Sequence, residues 1–207
     1  MTQQFRVFAV ALLAAGALFA QAPKGWKMRV DRSTSAEDPD AAGSIKFVTS
    51  GAGFHATNPQ AAVYWNPANT ATGNYTLKAT FTLLNRSTFD INYYGLVFGG
   101  SNLDGPQQQY IYFMVGHDGT CMVKHRDGAN ASTVAGRMPN SAVKTEGKPV
   151  NVLEVRVGAS KIDYVVNGTV VTSTPKTGAT AKTDGIYGLR VNHMLEVQID
   201  GLSVTKQ

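Results

Sequence analysis

From Asn74 to Leu83 the chain alternates without a fault: Tyr75, Leu77, Ala79, Phe81 and Leu83 are apolar, and the five residues interleaved with them are polar. Period two places one set of side chains on each face of a strand, so this segment predicts a strand buried on one side and wet on the other. Similar segments follow one another along the chain. Strands are predicted over 26–30, 44–48, 53–57 and 61–65, the last ended by Asn66-Pro67, then over 74–84. Tyr93–Gly100 is apolar with little alternation, as in a central strand covered on both faces. Strands over 107–115, 120–126, 150–157, 161–166, 169–172, 186–191 and 194–204 complete the set. His117-Asp118-Gly119, Asp127-Gly128 and Asn167-Gly168 are hairpin turns, Asn-Gly being the strongest such signal because both residues tolerate positive φ. The stretches 31–43, 136–150 and 174–183 read as loops. Short strands at roughly 8–12-residue spacing predict an all-β fold, a two-sheet antiparallel jelly-roll sandwich, in one domain over 23–207.

Residues 1–22 change the picture of where this domain works. Arg6 is a short positive n-region, Val7–Ala20 is apolar, and Leu18-Phe19-Ala20-Gln21-Ala22 supplies small residues at a cleavage site, the pattern of a secretory signal peptide. An apolar stretch of about 14 residues is too short to span a hydrocarbon core of ~30 Å as a helix, and no later segment approaches that length. The expectation is an exported protein, periplasmic or extracellular and bacterial, with no membrane span. The single cysteine, Cys121, rules out an internal disulfide and fits a small buried hydrophobe in the strand 120–126. Net charge is +5, with the basic residues scattered rather than clustered, which argues against a nucleic-acid partner.

The chemistry-bearing residues exclude more than they select. Five of the acids precede glycine (Asp104, Asp118, Asp127, Asp184, Asp200) and are turn formers first. His55, His117, His125 and His193 have no metal-ligand spacing, so no metal site and no cofactor are expected; Asn102 and Asp104 in the loop 101–109 are the one arrangement that could attract calcium. There is no nucleophile elbow and no phosphate-cradling loop, and no catalytic residue is assigned.

The order of motifs nevertheless carries a resemblance. Gly73-Asn74-Tyr75, Tyr-Gly-Leu-Val-Phe-Gly-Gly over 94–100, Tyr110-Ile111-Tyr112-Phe113 and Asn-Val-Leu-Glu-Val-Arg-Val over 151–157 lead into Tyr-Val-Val-Asn-Gly-Thr-Val-Val over 164–171. The series ends in Asp-Gly-Ile-Tyr-Gly-Leu-Arg-Val-Asn-His over 184–193. This resembles the concanavalin A-like, laminin-G-like jelly-roll superfamily, and within it is similar to bacterial 3-keto-disaccharide hydrolase-like domains. The resemblance implies two curved antiparallel sheets and sugar binding on one sheet face or at the loop rim. Glucanases of that superfamily carry a Glu-x-Asp-x-x-Glu strand; Glu37, Glu146, Glu154 and Glu196 do not stand in that spacing, which excludes that retaining chemistry.

Sugar recognition wants an aromatic platform with planar polar groups beside it. Tyr64, Trp65 and Asn66 at a strand end supply both, with Trp65 open to two readings, core packing or platform. His55, Tyr94, Gln109, Arg126, Arg190, Asn192 and His193 are the further ligand-binding candidates near strand ends. Arg190 stands between Leu189 and Val191 and requires an acceptor, either an acidic partner or a ligand. Three functions compete: a lectin-like module binding a carbohydrate, a hydrolase on a sugar derivative using His55, His193 and Arg190, and a protein-interaction or envelope-structural domain. Convergence of Trp65, His55 and Arg190 in one pocket would favour the enzyme. The sequence sets neither the ligand nor the oligomeric state.

Overall fold

A computed structural model describes residues 22–88 and 90–207, so the signal expected over 1–22 lies, but for Ala22, outside the described residues. In chain order the strands are β1 (Lys27–Asp31), β2 (Lys46–Ser50), β3 (Gly53–Asn58), β4 (Ala61–Ala71), β5 (Tyr75–Arg86), β6 (Tyr93–Ser101) and β7 (Gln109–Gly116). They continue as β8 (Thr120–Asp127), β9 (Asn130–Pro139), β10 (Val150–Val157), β11 (Lys161–Val166), β12 (Thr169–Pro175), β13 (Gly185–Val191) and β14 (Leu195–Lys206). The only helical turn among the described residues is a 3₁₀ turn at Gly178–Thr180. The strands form two seven-stranded antiparallel sheets, ordered β1-β4-β13-β6-β7-β8-β9 and β12-β11-β10-β5-β14-β3-β2. The two-sheet sandwich expected from the period-two pattern is the observed architecture.

The alternation in β5 decides which face is inside. Tyr75, Leu77, Ala79 and Phe81 are fully buried, while Thr76, Lys78, Thr80 and Thr82 lie on the opposite, wetter face. Opposite them the first sheet contributes Tyr94, Leu96 and Phe98 from β6 and Ile111, Phe113 and Val115 from β7. Burying one such Leu or Phe side chain stabilises the fold by roughly 1.5–3 kcal/mol. Cys121 sits in this core, and burial pushes its thiol pKa up, which keeps it unreactive.

The first sheet is also covered on its other face. Val63, Trp65, Val97, Tyr110, Tyr112 and Met114 form a second cluster there, joined by Leu103 from the connection between β6 and β7. This explains why β6 reads as apolar throughout: every residue from Tyr93 to Gly100 is buried. The same connection is tied to β1, where Lys27 reaches Asp104 at 2.8 Å and Arg29 donates to the Gly105 carbonyl at 2.6 Å. Asp104, half of the calcium expectation, is therefore engaged by a lysine.

Two sequence expectations need correction. Strand β4 does not end at Asn66-Pro67 but runs to Ala71. Its ladder with β13 skips from Trp65↔Gly188 to Thr70↔Ile186, so Pro67 falls within a bulge where the ladder needs no N–H from it. The stretch 136–150 is not all loop, since β9 occupies Asn130–Pro139 as the edge of its sheet. At the expected Asn-Gly hairpin, Asn167 (φ 51°) and Gly168 (φ 85°) both adopt positive φ between β11 and β12.

Candidate functional site

The chemistry gathers where β1 ends. Asp31, its last residue, places one carboxylate oxygen between two guanidiniums: Oδ2 accepts from Arg190 Nη1 at 2.5 Å and from Arg126 Nη2 at 2.8 Å. Arg190 comes from β13 and Arg126 from β8, so three strands distant in sequence meet at this point. The register shows how. Arg190 stands opposite Gly95 on β6, and Gly95 opposite Met114 on β7. With no side chain at position 95, the long Arg190 side chain crosses β6 and reaches β7. There its Nη1 donates to the Tyr110 hydroxyl at 3.1 Å, and the guanidinium lies 5.0 Å over the Tyr112 ring centre.

The electrostatics follow from burial and partners. Burial alone pushes the Asp31 carboxyl up, but the charges and hydrogen bonds of Arg190 and Arg126 outweigh it and hold its pKa below the ordinary value. Burial opposes the charge of Arg190, yet Tyr110 and Asp31 raise its pKa, so it stays cationic. Lys124 on β8 is pushed down, first by burial and then by the neighbouring charges of Arg190 and Arg126, which marks this region as electropositive.

Beside this ion-paired centre the chain turns back over residues 32–40. Ser33 N–H donates to Asp40 Oδ2 at 3.0 Å and Ser33 Oγ to the Asp38 carbonyl at 2.6 Å, fixing the turn. His193, just past β13, faces both acids: Nδ1 is 3.1 Å from Asp40 Oδ1, and Nε2 is 2.9 Å from Asp38 Oδ1 without the angles of a hydrogen bond. Between the turn and the end of the sheet lies an open cavity of about 550 Å³, whose lining includes Arg29, Arg32, Arg126, Arg190, Asn192 and His193. Eight buried side-chain polar atoms among the described residues have no hydrogen-bond partner, and six belong to residues lining this cavity. Two of these, Asp38 Oδ1 and His193 Nε2, are the atoms that face each other at 2.9 Å, which leaves Gln108 Oε1, Arg126 Nε, Arg190 Nε and Asn192 Oδ1 without any partner. Buried polar groups are normally paired, so such a concentration distinguishes this place from the rest of the molecule.

Of the ten ligand-binding candidates read from the sequence, Arg126, Arg190, Asn192 and His193 meet at this cavity. The other six do not. Tyr64 is fully buried in the core, its hydroxyl donating to Asn58 Oδ1 at 2.6 Å and its ring stacked on Phe47. Trp65 is 2% exposed within the cluster that holds Leu103, so the core-packing reading of this residue is the one the structure bears, and its ring offers no open platform. Asn66 accepts the Ala68 N–H at 3.0 Å within the β4 bulge. Tyr94 is buried against Asn151, and burial pushes its phenol up to about 12. Gln109 donates to Asp127 at 2.9 Å across β7 and β8. His55 belongs to the other sheet, where Nε2 is 2.9 Å from Glu196 Oε1. Trp65, His55 and Arg190 therefore do not converge in one pocket. Sequence reasoning missed Asp31, Arg29, Arg32 and Gln108. The one signal pointing to Asp31 was the unmet need of Arg190 for an acceptor. Among the described residues no group of three or more His, Cys, Asp or Glu side chains could hold a metal ion.

No protein family matches the chain in sequence, and no curated protein does. Solved structures match it in shape. A carbohydrate-binding module, CBM66, from Bacillus subtilis superposes with a TM-score of 0.64 at 9% identity, covering 88% of this chain and 96% of its own. A GH16 protein of the Bacteroides ovatus mixed-linkage glucan locus, solved with a G4G4G3G product, gives 0.61 at 8% identity, covering 90% and 97%. A protein with a galectin-like fold from Bacillus subtilis gives 0.58 at 14% identity, covering 88% and 90%. At such identities the likeness is one of fold, and the fold is the concanavalin A-like jelly-roll sandwich.

Proposed function

We propose that this protein is an exported saccharide-binding jelly roll whose ligand sits in the cavity framed by Asp31, Arg126, Arg190, Asn192 and His193. The observation that carries the reading is one open cavity lined by Arg126, Arg190, Asn192 and His193, around which four buried polar atoms, on Gln108, Arg126, Arg190 and Asn192, have no partner. A hydroxyl-rich ligand presents donors and acceptors in close succession, which is what such a lining requires, whereas an apolar ligand would leave the groups unmet. The fold is shared with a carbohydrate-binding module and a galectin-like protein, which agrees with a binding role. Tyr110 and Tyr112 are buried and engage Arg190 rather than offering a stacking face. Recognition in this reading is polar and confined to a pocket, suited to a chain end or a short saccharide. Among the described residues no helix is long and apolar enough to cross a membrane.

A glycan array on the protein tests this. Binding to at least one glycan class is expected, reduced about tenfold or more in Asn192→Ala, because removing one partner of a desolvated hydrogen bond costs on that order. Absence of binding to every glycan, or full binding by Asn192→Ala, would overturn the proposal.

A further inference from the structure

The cavity also constrains the charge of its ligand. Four arginines contribute to its lining, Arg29, Arg32, Arg126 and Arg190, against two carboxylates, Asp31 and Asp38. A guanidinium has five N–H donors and no acceptor capacity, so the lining carries an excess of positive charge and of donors, with Gln108 Oε1 and Asn192 Oδ1 as its unpartnered acceptors. The carboxylates present are already committed. Asp31 Oδ2 accepts from two guanidiniums at once, and Asp38 Oδ1 faces His193 at 2.9 Å. Arg190 and Arg126 are themselves well buried, with side chains 9% and 14% exposed, so their excess charge is weakly screened by solvent. Arg29 spends one Nη on the Gly105 carbonyl, and Arg32 is exposed at the rim. A neutral sugar, whose hydroxyls donate as readily as they accept, leaves this imbalance standing. An anionic substituent removes it, since a carboxylate or sulfate supplies several acceptors and none of the donors.

Resting on the saccharide reading above, we infer that the ligand is an acidic saccharide whose anionic group is received by the arginine-lined side of the cavity, with Arg126 and Arg32 as the residues that select for it. Arg190 is a positioning residue in this account, holding Asp31 and Tyr110 in place so that Arg126 and the rim arginine converge. The shared chemistry is a planar or tetrahedral oxyanion on a sugar ring, either a uronate carboxylate or a sulfate ester.

Titration calorimetry on the protein with matched pairs of oligosaccharides tests this: oligogalacturonate, oligomannuronate and oligoglucuronate against their methyl esters, and a sulfated galactan oligosaccharide against its desulfated form. The acidic member of at least one pair is expected to bind about tenfold or more tighter than its neutral partner, since charge-assisted bonds are roughly twice as strong as neutral ones. That preference is expected to shrink as salt rises from 0.01 M to 1 M. Preference confined to the uronates identifies a carboxylate; preference confined to the sulfated pair identifies a sulfate ester. Arg32→Gln, at an exposed position that leaves the core intact, is expected to remove most of the preference without changing the melting temperature. Arg126→Lys keeps the charge but loses the fork and is expected to weaken the acidic member more than its neutral partner. Equal affinity for acidic and neutral members overturns the inference while leaving a saccharide site in place. Binding to none of the oligosaccharides overturns both readings together.

Discussion

Asp31 accepts two guanidiniums on a single oxygen, and the consequences can be measured one residue at a time. With Arg190 and Asp31 only 9% and 14% exposed, removing Arg190 leaves a desolvated carboxylate with Arg126 as its one remaining cation. Arg190→Met is expected to cost about 3 kcal/mol in a denaturant titration. The double variant Asp31→Asn/Arg190→Met is expected to cost less than the sum of its single changes by about 1 kcal/mol or more, and strict additivity would mean the pair is not coupled. The pH dependence has a definite sign. Because the folded-state pKa of Asp31 is depressed, its contribution is present above the ordinary carboxylate value near 3.8 and is lost as pH falls below it toward the folded pKa. Stability should therefore fall on acidification below about pH 4, less steeply in Asp31→Asn. Trp65 is the contrasting case. Trp65→Ala is expected to lose about 3–5 kcal/mol of stability because the ring is buried within the second apolar cluster. The exposed Arg32→Gln should stay within about 0.5 kcal/mol while losing most of the preference for the acidic saccharide. At this scale the sequence was half legible. The isolation of Arg190 between Leu189 and Val191 shows that it needs an acceptor, but the acceptor lies 159 positions earlier in a stretch that resembles solvent-exposed loop. The burial of Trp65 depends on a cluster drawn from β4, β6, β7 and the connection that carries Leu103, an arrangement that no local pattern encodes.

Elements were legible where one face is wet, as in β5, or where both are covered, as in β6, and illegible where both are wet. Strand β5 shows its alternation because its outer face meets water. The Asn167-Gly168 turn was readable because a two-residue hairpin with positive φ at both positions is narrowly specified. Gly168→Ala has open space around the added Cβ, so its cost reports backbone conformation alone: about 1 kcal/mol is expected, and no change would show that the φ of 85° is not required. Edge strand β9 was missed because so few of its residues are buried that no hydrophobic period survives, and Gly136 and Pro139 mimic a loop. The continuation of β4 past Pro67 was missed because a bulge suspends the rule that proline ends a ladder. Gly95 carries function through the element that holds it. An added Cβ would stand 2.0 Å from the Phe113 carbonyl oxygen and 2.8 Å from Met114 Cα, so β6 and β7 must separate. Gly95→Ala is expected to destabilise the protein by on the order of 1–3 kcal/mol and also to weaken ligand binding, since Arg190 crosses the sheet at this point.

For the molecule as a whole, one sequence supports two kinds of covered surface. The sandwich core unites both sheets, and a second cluster of Trp65, Val97, Tyr110, Tyr112 and Met114 lies on the far side of the first sheet. That second cluster is polarised. Towards one end it is apolar and closed by Leu103; towards the other it passes through Tyr110 and Tyr112 to the arginines and the open cavity. A net charge of +5 scattered along the chain does not reveal this, because Arg29, Arg32, Arg126 and Arg190 come together only through the folding of β1, β8 and β13 around the turn 32–40. The most direct test of the proposed site is a nitrogen-15 titration following the Nε–Hε signals of Arg126 and Arg190 and the indole signals of Trp26 and Trp65 as the tightest-binding glycan is added. The account predicts that the two arginine signals move and saturate together while the Trp65 indole stays fixed. Arginine signals that stay fixed while Trp65 or the His55–Glu196 face responds would contradict it.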